Sequence, residues 1–349
     1  MGKEQALVIL TPGFPENESD TTCLPMQQRL IRAFGRVSPH LKIIILSFQY
    51  PYHRTPYSWF GNKVIPFNGK NRGGLYRLLR QRKITRTLNH LQNKFEIIGL
   101  LSFWYGECAA IGNICSRRSG IPHYCWISGQ DVRSSNKYPR KSPMKSAELV
   151  AISDFTATEF EKNHSVKPAR IIPPGIETRD IQTPSSHRTI DILGVGSLIQ
   201  LKQYDLFIKT AAAIHRKLPT LRSALIGKGP ERSKLENMIK QYGLQDATRL
   251  YGELPHYEVL SFMRNSKILL HPSSAEGYPG VCMEALYAGT HVVSFCKPMN
   301  NVIEHWHTVS SEVEMEQKVF ELLTNPNLSH QSVVCRNIDQ TARQFLDLF

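Results

Sequence analysis

At 349 residues the chain is long enough for two domains of ordinary size. A composition of 41% hydrophobic and 21% charged residues excludes disordered, collagen-like and coiled-coil proteins, and no apolar run nears the roughly 20 residues that span a bilayer. The net charge of +14 is lopsided: residues 1–185 hold 26 Lys and Arg against 13 Asp and Glu, whereas residues 186–349 hold 17 against 16. The first half is therefore expected to meet an anion, whether phosphate, membrane surface or nucleic acid.

The first apolar strand spans 6–10 and runs into Pro12-Gly13, which is not the pattern of a signal peptide. Further strands are predicted at 42–48, 96–102, 122–127, 148–153 and 169–172, with helices at 26–34 and 156–163, the latter opened by a Thr156/Glu159 capping box. Residues 48–74 form a long connection holding seven of the chain's 32 aromatic residues, a pattern that argues against disorder and points to acceptor or membrane contact, with simple packing as the alternative. After it, Arg77, Arg80, Arg82, Lys83 and Arg86 crowd one helical pattern. Arg82, Lys83, Arg86 and His90 share a face opposite Ile84, Leu88 and Leu91, as in a basic amphipathic helix at a membrane surface. Leu75, Leu78 and Leu79 fall out of phase, so this helix is expected to be kinked or short. The polar stretch 178–188 reads as a linker.

The second half repeats the alternation, with strands at 189–195, 221–226, 248–251, 268–271 and 291–294 and helices at 204–217, 231–242 and 281–288. Strand–helix alternation predicts an α/β fold of two doubly wound domains, whose ligands bind at the carboxyl ends of the strands. A final helical pattern covers 331–349. The seven cysteines are odd in number and include no Cys-x-x-Cys, so reduced thiols are expected rather than disulfides or zinc, and a cytoplasmic location with them.

Chemistry concentrates in Ser273 to Ala285, where Glu276 and Glu284 bracket a turn containing Gly277, Tyr278, Pro279 and Gly280, and a helix begins near Val281. A glycine-containing turn feeding a helix N-terminus is a phosphate site. Two carboxylates beside it can each accept hydrogen bonds from vicinal hydroxyls, which together suits a sugar nucleotide.

This stretch resembles the motif of the family 4 retaining glycosyltransferases. Val195 to Gln203, Ile226-Gly227-Lys228-Gly229-Pro230, Ile172 to Glu177 and Thr11-Pro12-Gly13-Phe14-Pro15 resemble further segments of that family. The resemblance implies the GT-B fold, two Rossmann-like domains facing across a cleft. It places an acceptor-binding domain at 1–177, a linker at 178–188, a donor-binding domain at 189–330, and a C-terminal helix within 331–349 crossing back to the first domain. By position it assigns Glu284 to the donor ribose, Glu276 to the transferred sugar and Lys202 to the departing diphosphate, making Glu276 and Lys202 the catalytic pair. Gly196, Ser197, Gly227, Leu254, Tyr278, Pro279, Gly280 and Val281 would line the donor, and Gly13, Phe14, Ser128 and Asp131 the acceptor side. The chain departs from the family at Ser197, commonly Arg; at Gln203, often Gly; at Ser128, usually His; and over 304–311. Arg232 and Arg133 are candidates to supply the missing phosphate cation.

The expected reaction is metal-independent retaining transfer from a nucleotide sugar, such as a UDP- or GDP-sugar, to a saccharide or lipid-linked acceptor in cell-surface polysaccharide synthesis. No cofactor is implied, and the chain contains no Asp-x-Asp to bind a metal-diphosphate. The protein would work in the cytoplasm or peripherally at the inner membrane face. Rival readings are a degenerate relative that binds nucleotide sugar without transfer, and a GT-B epimerase or phosphorylase. A dinucleotide-linked oxidoreductase is disfavoured by the absence of Gly-x-Gly-x-x-Gly after the first strand, and nucleic-acid binding by the scatter of the basic residues.

Overall fold

The apolar runs at the chain's start do become strands, because each alternates with a helix that covers one face of the sheet they build. In the computed structural model, which describes residues 2–181, 184–185 and 187–349, the chain divides into two units, Met1–Gly175 with Ile338–Phe349, and Ile176–Asn337.

The first unit contains β1 (Gln5–Thr11), α1 (Pro25–Val37), β2 (Lys42–Ser47), β3 (Tyr57–Trp59), β4 (Asn62–Pro66), α2 (Gly74–Lys94), β5 (Glu96–Phe103), α3 (Glu107–Ser119), β6 (His123–Ile127), α4 (Tyr138–Lys141), β7 (Leu149–Ala151), α5 (Asp154–His164) and β8 (Arg170–Ile171). Its sheet runs β3-β4-β2-β1-β5-β6-β7-β8, parallel except for the β3–β4 hairpin. Strand β1 is central and fully buried from Ala6 to Leu10, as a strand covered on both faces must be.

The second unit contains β9 (Ile190–Val195), α6 (Tyr204–Lys217), β10 (Ser223–Ile226), α7 (Arg232–Gln241), β11 (Thr248–Tyr251), α8 (His256–Arg264), β12 (Ser266–His271), α9 (Gly280–Tyr287), β13 (His291–Ser294), β14 (Trp306–Thr308) and α10 (Glu312–Thr324). Its six parallel strands are ordered β11-β10-β9-β12-β13-β14, the doubly wound order that reverses between β9 and β12. Helix α11 (Ile338–Leu346) belongs to the first unit, where Phe345 packs edge-on against Phe34 and Trp126 at ring separations of 6.4 and 5.0 Å. The Phe349 ring fills the space beside Gly99 of β5, where a Cβ would lie 1.9 Å from it.

Several expectations need correcting. The 48–74 connection holds two strands, β3 and β4, joined by a turn at Phe60 and Gly61 with φ of 43° and 75°. Three of its seven aromatics, Phe48, Trp59 and Phe67, are core, Tyr50 and Tyr57 are half-buried, and Tyr52 and Phe60 are exposed. Helix α2 is one continuous 21-residue helix, not a short one. Ile84, Leu88 and Leu91 face the core as read, while Leu75, Leu78 and Leu79 face solvent, so they place no demand on the helix's path. Helix α5 is capped by Ser153, whose Oγ accepts from the Thr156 amide at 3.0 Å, and Thr156 lies buried inside the helix. The last helix begins at Ile338, and 331–337 is not helical. Of the 178–188 linker, residues 182, 183 and 186 lie outside the described residues. Its end is anchored, with the buried Arg188 guanidinium donating to the carbonyls of Ala288 at 2.7 Å and Met263 at 3.3 Å.

Candidate functional site

The donor-side residues gather at the carboxyl edge of the second unit's sheet. Beyond β9 and β10 two loops nest together: Gly196 has φ of 154° and Gly227 of 151°, and a Cβ on Gly227 would meet the Gly196 carbonyl oxygen at 1.9 Å. Only glycine satisfies both the left-sided φ and the close approach. The Leu198 amide donates to the Lys228 carbonyl at 2.9 Å and the Glu231 amide to the Leu198 carbonyl at 3.0 Å, fixing one loop on the other. Ser197 stands exposed next to them.

Strand β12 delivers His271, 1% exposed in its side chain, and the following turn brings Glu276 back over it. The Glu276 carboxylate accepts from His271 Nε2 at 3.3 Å and is also in contact with the Lys202 ammonium. Burial works to raise the Glu276 carboxyl; the His271 hydrogen bond and the Lys202 charge outweigh it and hold it down at about 2. Burial also lowers the His271 imidazole, so His271 donates as a neutral ring and the net charge of this trio is near zero.

Helix α9 starts at Gly280 with Pro279 at its N-cap, so its dipole's positive end lies at the Tyr278–Val281 turn. Tyr278 is buried and edge-on to Trp306 at 6.2 Å. Glu284 sits in the second turn of α9, buried, with Oε1 3.1 Å from Nε2 of His256, the first residue of α8. Leu254 is half-buried in the loop just before that helix. Arg232 is engaged elsewhere, with Glu236 at 2.9 Å and the Tyr251 carbonyl at 3.3 Å.

The sequence reading missed three residues here. His271 and His256 each hold one of the two glutamates, and the Tyr204 hydroxyl is buried without a hydrogen-bond partner, 2.7 Å from where a Gly196 Cβ would lie. For His271 a signal existed, since it ends the strand that feeds the motif.

In the first unit a cavity of about 370 Å³ opens at the carboxyl edge of the sheet, where Gln49 follows β2, Trp104 follows β5, and Gln130, Asp131, Arg133 and Asn136 follow β6. Trp104 has φ of 67°, a conformation that costs a bulky residue energy and often marks a functional loop. Asp131 is buried and accepts from the Ser128 amide at 2.8 Å and its hydroxyl at 3.3 Å. Burial outweighs these bonds and raises its carboxyl to about 7. Ser128 and Asp131 thus come together as read, and Arg133 lines the same cavity. Gly13 is half-buried beyond β1, and Phe14 is fully buried against Trp59 at 4.9 Å, so its side chain is core and cannot touch a ligand.

Comparison with known proteins gives these features a context. Residues 176–333 match the family described as glycosyl transferases group 1. The gpi3 subunit of phosphatidylinositol N-acetylglucosaminyltransferase from Schizosaccharomyces pombe is 31% identical over 131 residues, 37% of this chain and 29% of that protein. Putative colanic acid biosynthesis glycosyltransferase WcaL of Escherichia coli is 28% identical over 122 residues, 33% of this chain and 30% of that one. The chain thus spans about a third of the length of these curated relatives. In overall fold it resembles sucrose-phosphate synthase from Thermosynechococcus elongatus, with a TM-score of 0.70 at 14% identity over 99% of this chain and 94% of that one. Anabaena HepE, solved with UDP and glucose, gives a TM-score of 0.65 at 14% identity over 99% and 96%. The whole chain thus shares the GT-B fold of these solved structures, and residues 176–333 are similar to the group 1 glycosyl transferases.

Proposed function

We propose that this protein transfers a sugar from a nucleoside diphosphate sugar, of uridine or guanosine, to a saccharide or lipid-linked acceptor. The observation that carries this reading is the pair Glu276 and Glu284 on either side of the α9 N-terminus, with Lys202 beside Glu276. Glu284, steadied by His256, would hold ribose hydroxyls, and Glu276 hydroxyls of the transferred sugar. The helix end and Lys202 would meet the diphosphate as it departs, an electrostatic role typically worth several kcal/mol. In this scheme no metal ion is required, and the acceptor hydroxyl attacks on the face the diphosphate leaves, retaining the anomeric configuration. The departing phosphate takes the acceptor's proton, so neither glutamate acts as a nucleophile. The gpi3 relative's name supports a glycolipid acceptor and the WcaL name a cell-surface polysaccharide. No helix among the described residues is long and apolar enough to cross a membrane, and we place the protein's work in the cytoplasm or peripherally at the inner membrane face.

Calorimetry with a panel of nucleoside diphosphates and their sugars, with and without EDTA, tests the proposal. Saturable, EDTA-insensitive binding of one base, lost in Glu284→Ala, is expected, and the anomeric coupling of the product reports retention. No binding of any of them overturns it. Ser197 leaves the site with one fewer cation than the family pattern, which favours a second reading as a binder without transfer. Binding without slow donor hydrolysis would select that reading.

A further inference from the structure

The first unit's charge has a sharper focus than its total. Residues 21–95 contain 14 Lys and Arg and no Asp or Glu, which equals the net charge of the entire chain. Within this stretch, helix α2 presents two faces. Arg80, Ile84, Leu88 and Leu91 are buried, and Arg80 is locked by two hydrogen bonds to Glu107 at 2.9 and 2.8 Å. On the other face Leu75, Leu78 and Leu79 stand 69, 52 and 52% exposed, at the i, i+3 and i+4 spacing of one helical stripe. The same stripe continues into Arg82 and Arg86, both exposed. Tyr76, 63% exposed, stands beside it. Single exposed leucines are commonplace on protein surfaces; three on one stripe, headed by an aromatic and followed by arginines, are not.

Behind this face lies a cavity of about 280 Å³, lined by Arg54, Arg72, Arg80 and Lys83 together with Tyr76 and Leu79, and bordered by no acidic side chain. Arg80 is neutralised by Glu107, which leaves Arg54, Arg72 and Lys83, all exposed, as its free charges. The arrangement couples an apolar edge that can enter hydrocarbon to a cationic recess at the depth where phosphates would sit.

We propose that the N-terminal half of α2 docks on an anionic lipid bilayer, with Leu75, Tyr76, Leu78 and Leu79 inserted among acyl chains and a lipid phosphate held in the recess of Arg54, Arg72 and Lys83. Charge complementarity selects this occupant: an acid-free segment carrying exposed apolar residues matches a surface that is negative and apolar at once. A soluble polyanion would satisfy the arginines and leave the leucines in water. Docking concerns where the protein works, and stands or falls independently of the transfer reaction.

The test is flotation of the full chain with phosphatidylcholine vesicles, with and without phosphatidylglycerol, at low and high salt. Binding is expected only with phosphatidylglycerol. Arg82→Gln/Lys83→Gln/Arg86→Gln should weaken it on the order of 100-fold, about fivefold for each of the three charges lost. Leu75→Ser/Leu78→Ser/Leu79→Ser should retain low-salt binding and lose it in high salt, and circular dichroism confirms that both variants fold. Heparin serves as the soluble polyanion and inorganic phosphate as the free headgroup group. Heparin binding that equals vesicle binding, with no effect of the leucine substitutions, would establish a polyanion surface and overturn the proposal. So would failure of the wild type to float with phosphatidylglycerol vesicles at low salt. Competition by millimolar phosphate alone would place recognition in the recess and remove the bilayer from it.

Discussion

Lys202 faces two rivals, the Glu276 carboxylate it touches in this structure and the diphosphate it would meet in catalysis. Replacing Glu276 by Gln separates them. The wild-type carboxyl lies near 2 against an ordinary 4.5, a difference of about 2.5 units, which corresponds to about 3 kcal/mol favouring its charged form. With its side chain only 17% exposed, little of that is lost to solvent screening. Burial opposes it, and two partners supply it, His271 by its hydrogen bond and Lys202 by its charge. Gln keeps an acceptor for His271 and releases Lys202. Calorimetry at pH 7.5 should then find the nucleoside diphosphate bound as tightly as in wild type or up to about tenfold tighter. The nucleotide sugar should lose whatever extra affinity its sugar gave. Lys202→Met, by contrast, should weaken both ligands. If Glu276→Gln weakens the bare diphosphate as strongly as Lys202→Met does, the two side chains act as one unit toward phosphate and this reasoning is refuted.

Two further outcomes follow from buried groups. Gly227→Ala should cost the second unit about 3 kcal/mol or its fold, since the new Cβ would meet backbone rather than a movable side chain; urea unfolding followed through Trp306 measures it, and a loss below about 1 kcal/mol would show the nested loops to be pliable. Burial pushes His291 down to about 4 and His123 down to about 3. An unfolded chain takes up these protons near 6.5 and the native one does not, so stability should fall as pH drops from about 6.5, the His291 contribution levelling off below about 4 and that of His123 below about 3. His291→Asn should flatten that slope for the second unit, and an unchanged urea midpoint between pH 7 and 4.5 in wild type would contradict it.

Much of the donor edge was readable because its determinants are local. Glu276, Gly280 and Glu284 lie within nine residues, and the strand before them and the helix they open both show in hydropathy alone. The residues that hold the glutamates were not readable in this way: His256 reaches Glu284 across 28 positions, and Lys202 reaches Glu276 across 74. Such pairs exist only once β9 and β12 are neighbours. Periodicity also failed where a residue's surroundings are unusual. Leu75, Leu78 and Leu79 read as a misplaced core stripe because apolar residues are assumed to be buried, Trp59 reads as part of an acceptor- or membrane-facing 48–74 connection, and Phe14 is placed on the acceptor side by the resemblance alone. The same edge strands, β3 and β14, escaped notice for being three residues each.

The closure of the first unit by α11 and Phe349 has a bearing on the order in which the protein is made. A ribosome delivers domains from the N-terminus, and most fold as they emerge. Here the first unit to be synthesised lacks Ile338, Ala342, Phe345 and the ring that fills the space at Gly99 until residue 349 has left the exit tunnel. The second unit, contiguous from Ile176 to Asn337, can complete itself beforehand. The early sheet must therefore wait with an open apolar seam while its successor folds, and that interval, rather than any step in the finished protein, is where chaperone dependence and aggregation should concentrate.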